Sequence, residues 1–413
     1  MSTTAVTETR KRIKARHRTG AVWQTVFRFS TLVGIIALGA LLYNIGDSAF
    51  GFVVVEYTVQ PESLARDGVP LDNQEVEQLR LTFEENVSRG LYRRFEAEGA
   101  FDDPNRIELL DLIYEWVLEP RVVEGWGFWE SIRNIDAIQT QAAAEYPNGR
   151  LEMRSWLNPN FIVSPQSETA IKAGVRTAIL GSLWTIFIAI LFAFPIGVGA
   201  AIYLEEYASD SFINRVIQTN INNLAGVPSI IYGMLGLAIF VRTLEQITSG
   251  AAFGLVADPT TANGRTVLSA GLTLGLLVLP LIIINSQEAI KAVPHSLRQA
   301  SYGLGATKWQ TVWSHVLPNA ISGILTGTIL SISRAIGETA PLVVVGASTF
   351  IREDPSGPFS KFTTLPIQIY QWTARPQDVF RNIAAAAILV LLALLLTLNA
   401  AAILLRNRYA RKL

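Results

Sequence analysis

Six long apolar runs constrain this chain more than anything else in it: Val22–Ile45, Val175–Leu204, Leu224–Val241, Thr266–Ile284, Ala320–Gly346 and Ile383–Leu405. The hydrocarbon core of a bilayer is crossed by roughly 20 residues of helix at about 1.5 Å rise per residue. Inside it every backbone N–H and C=O must be bonded within its own element. The runs therefore predict six transmembrane helices and an all-α integral membrane protein. Half of the residues are hydrophobic, but soluble proteins reach that fraction too, so it is the clustering that carries the argument. The third run is short and holds Pro228, the fourth holds Pro280 near its end, the fifth carries Arg334 and Glu338, and the sixth has no charge.

Lysine and arginine set the orientation. Arg10, Lys11, Arg12, Lys14, Arg16 and Arg18 precede the first run, and Arg406, Arg408, Arg411 and Lys412 follow the last. Both tails, residues 1–21 and 406–413, are expected in the cytoplasm, which requires an even number of spans. A basic head before an apolar run also describes a signal peptide, but this run is too long for one and no small-x-small cleavage site follows. Residues 22–46 are read as an uncleaved span. Arg176 and Arg242, near span ends, are expected to snorkel.

Residues 47–172 differ in character and hold most of the chain's Asp and Glu. With both tails inside, this segment falls outside the membrane. Its acidity does not decide that, because long loops cross regardless of charge. Asn73–Ala97 and Pro104–Val117 place Val76, Leu79 and Phe83, then Ile107, Leu110, Ile113 and Val117, at helical spacing. Asp103-Pro104 reads as a helix start. The segment is predicted to be an acidic, mostly helical extracytoplasmic insertion, with a partly disordered loop as the alternative. Trp116, Trp126, Phe128 and Trp129 point to a core or a contact surface.

Composition excludes several chemistries. Without cysteine there is no disulfide, thiolate metal site or cysteine nucleophile. His17, His295 and His315 lie too far apart in sequence to suggest a metal site, and no G-x-x-x-x-G-K-[ST] is present to cradle ATP phosphates. A formal net charge of zero gives no general attraction to nucleic acid. The chain is not expected to be an enzyme.

The most informative stretch runs from Glu288 to Pro318. Its punctuation predicts a helix before Gly303, a break at Gly303–Gly305, and a second helix ending before Pro318. The pattern resembles the coupling loop of ABC-importer permeases, whose signature is E-A-A, three variable residues, G, and later I-x-L-P. Gln299-Ala300-Ser301 takes the first place, with Gln for Glu and Ser for Ala; Gly305 takes the glycine, and Val316-Leu317-Pro318 the end. The family's lead-in is matched by Val293-Pro294-x-x-Leu297-Arg298. The resemblance implies a type I, MetI-like permease core over residues 173–405, with a cytoplasmic coupling loop at 286–318. Arg298, Gln299, Ala300, Ser301, Gly305, Ala306, Leu317 and Pro318 would engage an ATPase. ATP and Mg would sit on that partner, and this chain would bind no cofactor and no metal.

Two further motifs narrow the resemblance. Arg334-Ala335-Ile336-Gly337-Glu338-Thr339 is similar to the R-A-I-G-E-T motif of phosphate-system permeases, and Asn223 to Gly233 to their third-span motif. Thr339-Ala340-Pro341-Leu342, Leu365-Pro366-x-Gln368-Ile-Tyr370-x-Trp372 and the closing Leu405-Arg406-Asn407-Arg408-Tyr409 look like the PstA family rather than PstC. The resemblance covers residues 20–48 and 170–413 and leaves out the insertion. It implies a multi-pass protein of the bacterial inner membrane that imports inorganic phosphate. The implied partners are a PstC-like permease, a PstB-like ATPase dimer, a PstS-like extracytoplasmic phosphate-binding protein and membrane lipid, with no nucleic acid.

The residues themselves agree with an anion path. An Arg within a span costs about 2.5–3.5 kcal/mol on insertion scales, so it is rarely idle. Glu338 follows Arg334 by four residues, which would put both on one helix face. Ser331, Ser333 and Thr339 add a polar stripe, and a guanidinium fork suits a tetrahedral oxyanion. The candidate path is Arg334, Glu338, Thr339 and Ser333, with a purely structural Arg334–Glu338 pair as its alternative. Pro228 and Pro341 are expected to break spans and free backbone groups. Competing functions are a molybdate, sulfate or phosphonate permease, a proton-coupled secondary transporter using Glu338, and an anchored sensor. A secondary transporter has nothing to dock on the elbow, and five further spans fit a sensor poorly.

Overall fold

The computed structural model describes residues 3–66, 68–97, 99–101, 105–255, 263–348 and 350–410. It opens with one long helix, α1 (Thr3–Ala49), whose apolar stretch has almost no protein against it. The insertion follows as β1 (Phe50–Glu56), α2 (Val76–Asn86), α3 (Arg89–Ala97), α4 (Arg106–Ile113), β2 (Arg121–Gly125), α5 (Phe128–Arg133), α6 (Ile135–Glu145), β3 (Arg150–Ser155) and α7 (Pro159–Val163). The bundle comprises α8 (Arg176–Ile202), α9 (Phe212–Ala225), α10 (Ser229–Gly236), α11 (Glu245–Thr248), α12 (Val267–Lys291), α13 (His295–Gly303), α14 (Lys308–Thr311), α15 (Leu317–Gly337), α16 (Ala340–Val345), α17 (Leu365–Thr373) and α18 (Asp378–Ala410).

Helix α12 is the most enclosed span and packs between α8 and α15. Lipid tails give helices no hydrophobic reason to associate, so close contact depends on small residues at the crossings. A Cβ on Gly271 would lie 2.6 Å from Cβ of Ile188, and one on Gly197 would lie 2.7 Å from Ile282. Those two glycines set how closely α8 and α12 approach.

Five helical stretches are long and apolar enough to cross a membrane: α1, α8 with the turn after it, α12, the continuous stretch Lys308–Gly337, and α18. The sixth expected crossing, Leu224–Val241, is broken at Pro228 as expected, and more sharply than a kinked span. There α9 and α10 form a pair bent by 106° at Gly226-Val227-Pro228. The Pro228 nitrogen has no hydrogen to donate, and its ring fixes the turn. The fourth helix runs past Ile284 to Lys291, so the expected loop start at residue 286 is still helical. The fifth run begins earlier than expected and breaks at Glu338.

The insertion is not all-α. Its centre is a three-stranded antiparallel sheet in the order β2-β1-β3. Val53, Val54 and Val55 in β1 are all buried. A strand covered on both faces reads as a short apolar run without alternation, and periodicity has nothing to detect. The helical lobe matches better: Leu79, Phe83 and Ile113 are fully buried. Ile107, expected inside, is exposed, and Leu109 is buried in its stead. The expected start at Asp103-Pro104 lies outside the described residues. Asn105 caps α4, its side chain accepting from the Ile107 amide at 3.3 Å.

The sheet is seated on the bundle. Val53, Val55, Trp156 and Phe161 share one core with Val175, Leu365, Trp372 and Ile383. Near this seam the Lys172 ammonium donates to the Glu115 carbonyl and lies 5.3 Å over the Trp116 ring. Burial pushes the Lys172 pKa down against the opposing pull of Glu115.

Candidate functional site

Two broken helices meet inside the bundle. Helix α15 ends at Gly337; Glu338 is extended, Thr339 turns, and α16 starts at Ala340-Pro341. Helix α10 starts just after Pro228. The two short helices pack tightly, since a Cβ on Gly233 would come 2.6 Å from Cα and 2.9 Å from the carbonyl oxygen of Pro341. Backbone groups freed by a break inside a membrane need new partners. One such partner is the Tyr232 hydroxyl, which donates to the Leu224 carbonyl at 2.8 Å across the bend.

Arg334 sits in the last turn of α15, and its Nε lies 3.4 Å from Glu338 Oε1. The helical spacing argument fails in one respect, because Glu338 is already outside the helix; the pair closes around the helix end instead. About half of the Arg334 side chain is exposed (48%), against 18% for Glu338. Among the described residues Arg334 has no hydrogen-bond partner besides Glu338. Its two terminal nitrogens stay available. Ser333 is directed elsewhere: its Oγ lies 2.9 Å from the Ile329 carbonyl and 2.6 Å from Asn399 Oδ1 on α18. Thr339 is half-buried at the start of α16. The four expected path residues therefore divide, with Arg334, Glu338 and Thr339 around the break and Ser333 holding α15 to α18.

The second candidate region is the elbow after α12. Helix α13 ends at Gly303, and Gly305 has φ +84°, a left-handed conformation that suits glycine. Thr307 and Gln310 form a capping box that restarts the chain as α14. This second helix does not stop before Pro318. A wider π-turn over Val312–Val316 joins α14 to α15, and Pro318 lies in the first turn of α15, where its missing N–H costs little. The elbow and the fifth span are thus one helix, Lys308–Gly337.

The expected docking residues also divide. Gln299, Ala300 and Gly305 are exposed, Ala306 is half-buried, and Leu317 and Pro318 lie partly covered in the helix. Ser301 is buried against Thr311, their hydroxyl oxygens 2.8 Å apart. Arg298 is buried as well. Its guanidinium donates to Glu206 Oε1 from Nε (3.0 Å) and Nη2 (2.7 Å), to the Val293 carbonyl (2.7 Å) and to the Ile290 carbonyl (2.9 Å). It fastens α13 to the turn after α8 and does not face outward. The adjacent Glu205 accepts from Gln287 at 2.9 Å and lies 3.4 Å from Lys291. The exposed apolar face of the elbow consists of Leu304, Trp309 and Trp313, the two indoles stacked at 5.4 Å.

Residues 193–412 match the family described as the binding-protein-dependent transport system inner membrane component. The chain belongs to this family. The insertion lies outside the matched part of this permease. The permease is 34% identical over 251 residues to "Phosphate transport system permease protein PstA" of Yersinia pestis, covering 60% of this chain and 77% of that one. It is 34% identical over 235 residues to "Phosphate transport system permease protein PstA 1" of Mycobacterium tuberculosis (56% and 70%). The "Phosphate transport system permease protein PstA homolog" of Mycoplasma pneumoniae is 33% identical over 58% of this chain, which spans only 36% of that longer relative. Among solved structures, the inward-facing MetNI methionine ABC transporter is similar at TM-score 0.40 and 19% identity, over 57% of this chain and 94% of that one.

Several residues of these sites are missing from the sequence-based set. Asn399 is the single amide in a span without charge, and an isolated Asn within a span is itself a signal of a cross-helix bond. Glu205 and Glu206 directly follow a span, where solvated acids are ordinary, and only the fold brings them to Lys291 and Arg298.

Proposed function

We propose that this permease is the PstA-like subunit of an ATP-driven importer of inorganic phosphate. The observation that carries the reading is Arg334: a half-exposed guanidinium at the junction of two broken helices, with two nitrogens free among the described residues and one acidic neighbour. A cation in that setting needs an anionic or polar counterpart, because facing lipid is costly. Phosphate oxygens fit a guanidinium fork. Glu338 holds the arginine between passages and weakens retention of the anion by repulsion.

In this reading the chain does no covalent chemistry. A PstC-like permease covers the open side of the path, a PstS-like binding protein delivers phosphate at the insertion end, and a PstB-like ATPase pair, carrying ATP and Mg, docks on Leu304, Trp309 and Trp313 with Gln299 and Ala300. Closure of the ATPases pushes the elbow, and α14–α15 carries the displacement about 38 Å from Trp309 to Arg334 at 1.5 Å per residue.

Uptake of radiolabelled phosphate into cells that depend on this chain tests the reading. Uptake should be lost on deletion, and excess sulfate, molybdate or phosphonate should not compete. Competition by one of these at equal concentration would reassign the substrate. Uptake that survives ATP depletion but collapses with the proton gradient would favour a secondary transporter.

Both tails are placed in the cytoplasm and residues 51–165 outside, on the strength of the basic tails. Since the chain has no cysteine, Thr4→Cys and Ser88→Cys give clean single labels. An impermeant maleimide on whole cells should react at position 88 and not at position 4; the reverse pattern would invert the topology.

A further inference from the structure

Helix α5 is fixed to the end of the first span. Its Trp129 ring stacks on Tyr43 of α1 at 5.4 Å with an interplanar angle of 4°, so the two aromatic rings lie side by side at one depth. The Trp129 amide donates to Asp47 Oδ1 at 2.9 Å, one turn farther along α1. A Cβ on Gly127 would lie 2.5 Å from the same carboxylate, so the chain runs hard against the helix here. On its other side the segment borders α18, where a Cβ on Gly125 would be 3.7 Å from the Asn382 side chain. Ile45 and Ala49 of α1 pack with Ala385 of α18 three residues farther on. The start of α5 is therefore level with the insertion-side ends of two membrane-crossing helices.

That level is where tyrosine and tryptophan concentrate in membrane proteins, because their rings have an apolar body and a polar edge. Trp129, Ile132 and Arg133 are spaced three and four residues apart and share one side of α5. Trp129 is 38% exposed, Ile132 55% and, at the start of α6, Ile135 41%. Ser131, on the opposite side, is buried and accepts from the Phe52 amide at 2.8 Å. The helix is thus held to the sheet by one face and to α1 by Trp129, while Ile132 is left more than half uncovered.

We propose that α5 lies in the bilayer interface at the insertion end, with Trp129, Ile132 and Ile135 among the outer ends of the acyl chains. Lipid is the occupant because the face continues the exposed surface of α1, a helix long and apolar enough to cross a bilayer whose apolar window is 0% buried against the rest of the chain. Arg133, on the same side, reaches headgroup phosphate. The insertion then rests on the membrane through this helix instead of standing clear of it.

The test uses the full chain in vesicles of phosphatidylethanolamine and phosphatidylglycerol. A nitroxide is placed on Ile132→Cys and separately on Ile135→Cys, with Leu38→Cys in the lipid-facing span and Ser88→Cys in the helical lobe as references. Both test positions are exposed, so the substitutions leave the core unchanged. The expected result at both is a ratio of oxygen to nickel-complex collision rates well above that at position 88, approaching that at position 38. A ratio equal to that at position 88 would put α5 in water. Low collision with both reagents would mean that protein, not lipid, covers the face. Either outcome overturns the proposal.

Discussion

Replacing Glu206 with Gln should unseat the elbow and abolish transport. Glu206, in the turn after α8, and Arg298, in α13, form a buried ion pair, with side chains only 5% and 10% exposed. Arg298 also holds two main-chain carbonyls that end α12. Removing one member of such a pair leaves an uncompensated buried charge, which costs about 3–5 kcal/mol. The expected result is a lower melting transition for the detergent-purified chain, together with loss of the co-purifying ATPase and of phosphate uptake. The pair Glu206→Leu with Arg298→Met should melt closer to the parent than either single change, because apolar groups of similar volume can replace a buried ion pair at little cost. Gln299→Ala, at an exposed position, should melt as the parent does. An unchanged melting transition for Glu206→Gln would show that the pair does not hold the elbow.

Arg334→Gln should reduce phosphate uptake by roughly ten- to a hundredfold, the size of one lost hydrogen bond to a charged group. The amount of assembled protein should change little, since nearly half of the Arg334 side chain is already exposed. Gln keeps much of the length and some donors but not the charge. A structural pair makes a different demand: the single change would orphan Glu338 and lower assembly, and Arg334→Gln with Glu338→Gln would restore both assembly and uptake. An arginine that attracts the anion is not rescued by the second change. Measuring labelled phosphate uptake beside the quantity of complex separates the two, and recovery of uptake in the double variant would remove Arg334 from the path.

The membrane-crossing part of the fold was legible because hydrocarbon imposes one rule on every span. Runs as uniform as Ile383–Leu405 have few alternatives. What escapes is the geometry at prolines and glycines: Pro228 announces a break, but not the 106° bend, and the helix before it, Phe212–Ala225, has apolar residues at Phe212, Ile213, Val216 and Ile217 but is too polar on its other side to read as part of a span. Pro318 misled in the opposite direction. It was read as a stop, yet a proline in the first turn of a helix is no obstacle, and the chain passes through it. In the insertion, β1 was hidden because burial on both faces removes alternation. At the site, Arg334 and Glu338 stood out because charge inside a span is rare. Arg298 stands out by motif, but its partner within the chain, Glu206, lies 92 residues away. No local pattern reports a contact of that separation.

The unbroken passage from Lys308 to Gly337 leaves no hinge between the elbow proposed to dock the ATPase and the arginine proposed to attract the anion. A linkage with a joint has play, and a stroke at one end can be absorbed before it reaches the other. Here the backbone has no slack to take up, apart from the single π-turn at Val312–Val316. Thermal jostling of the two stacked indoles and the posture of Arg334 in the last turn are therefore motions of the same rod. The occupancy of the anion path should in turn be felt at the elbow, so that cargo can inform the motor as directly as the motor moves the cargo.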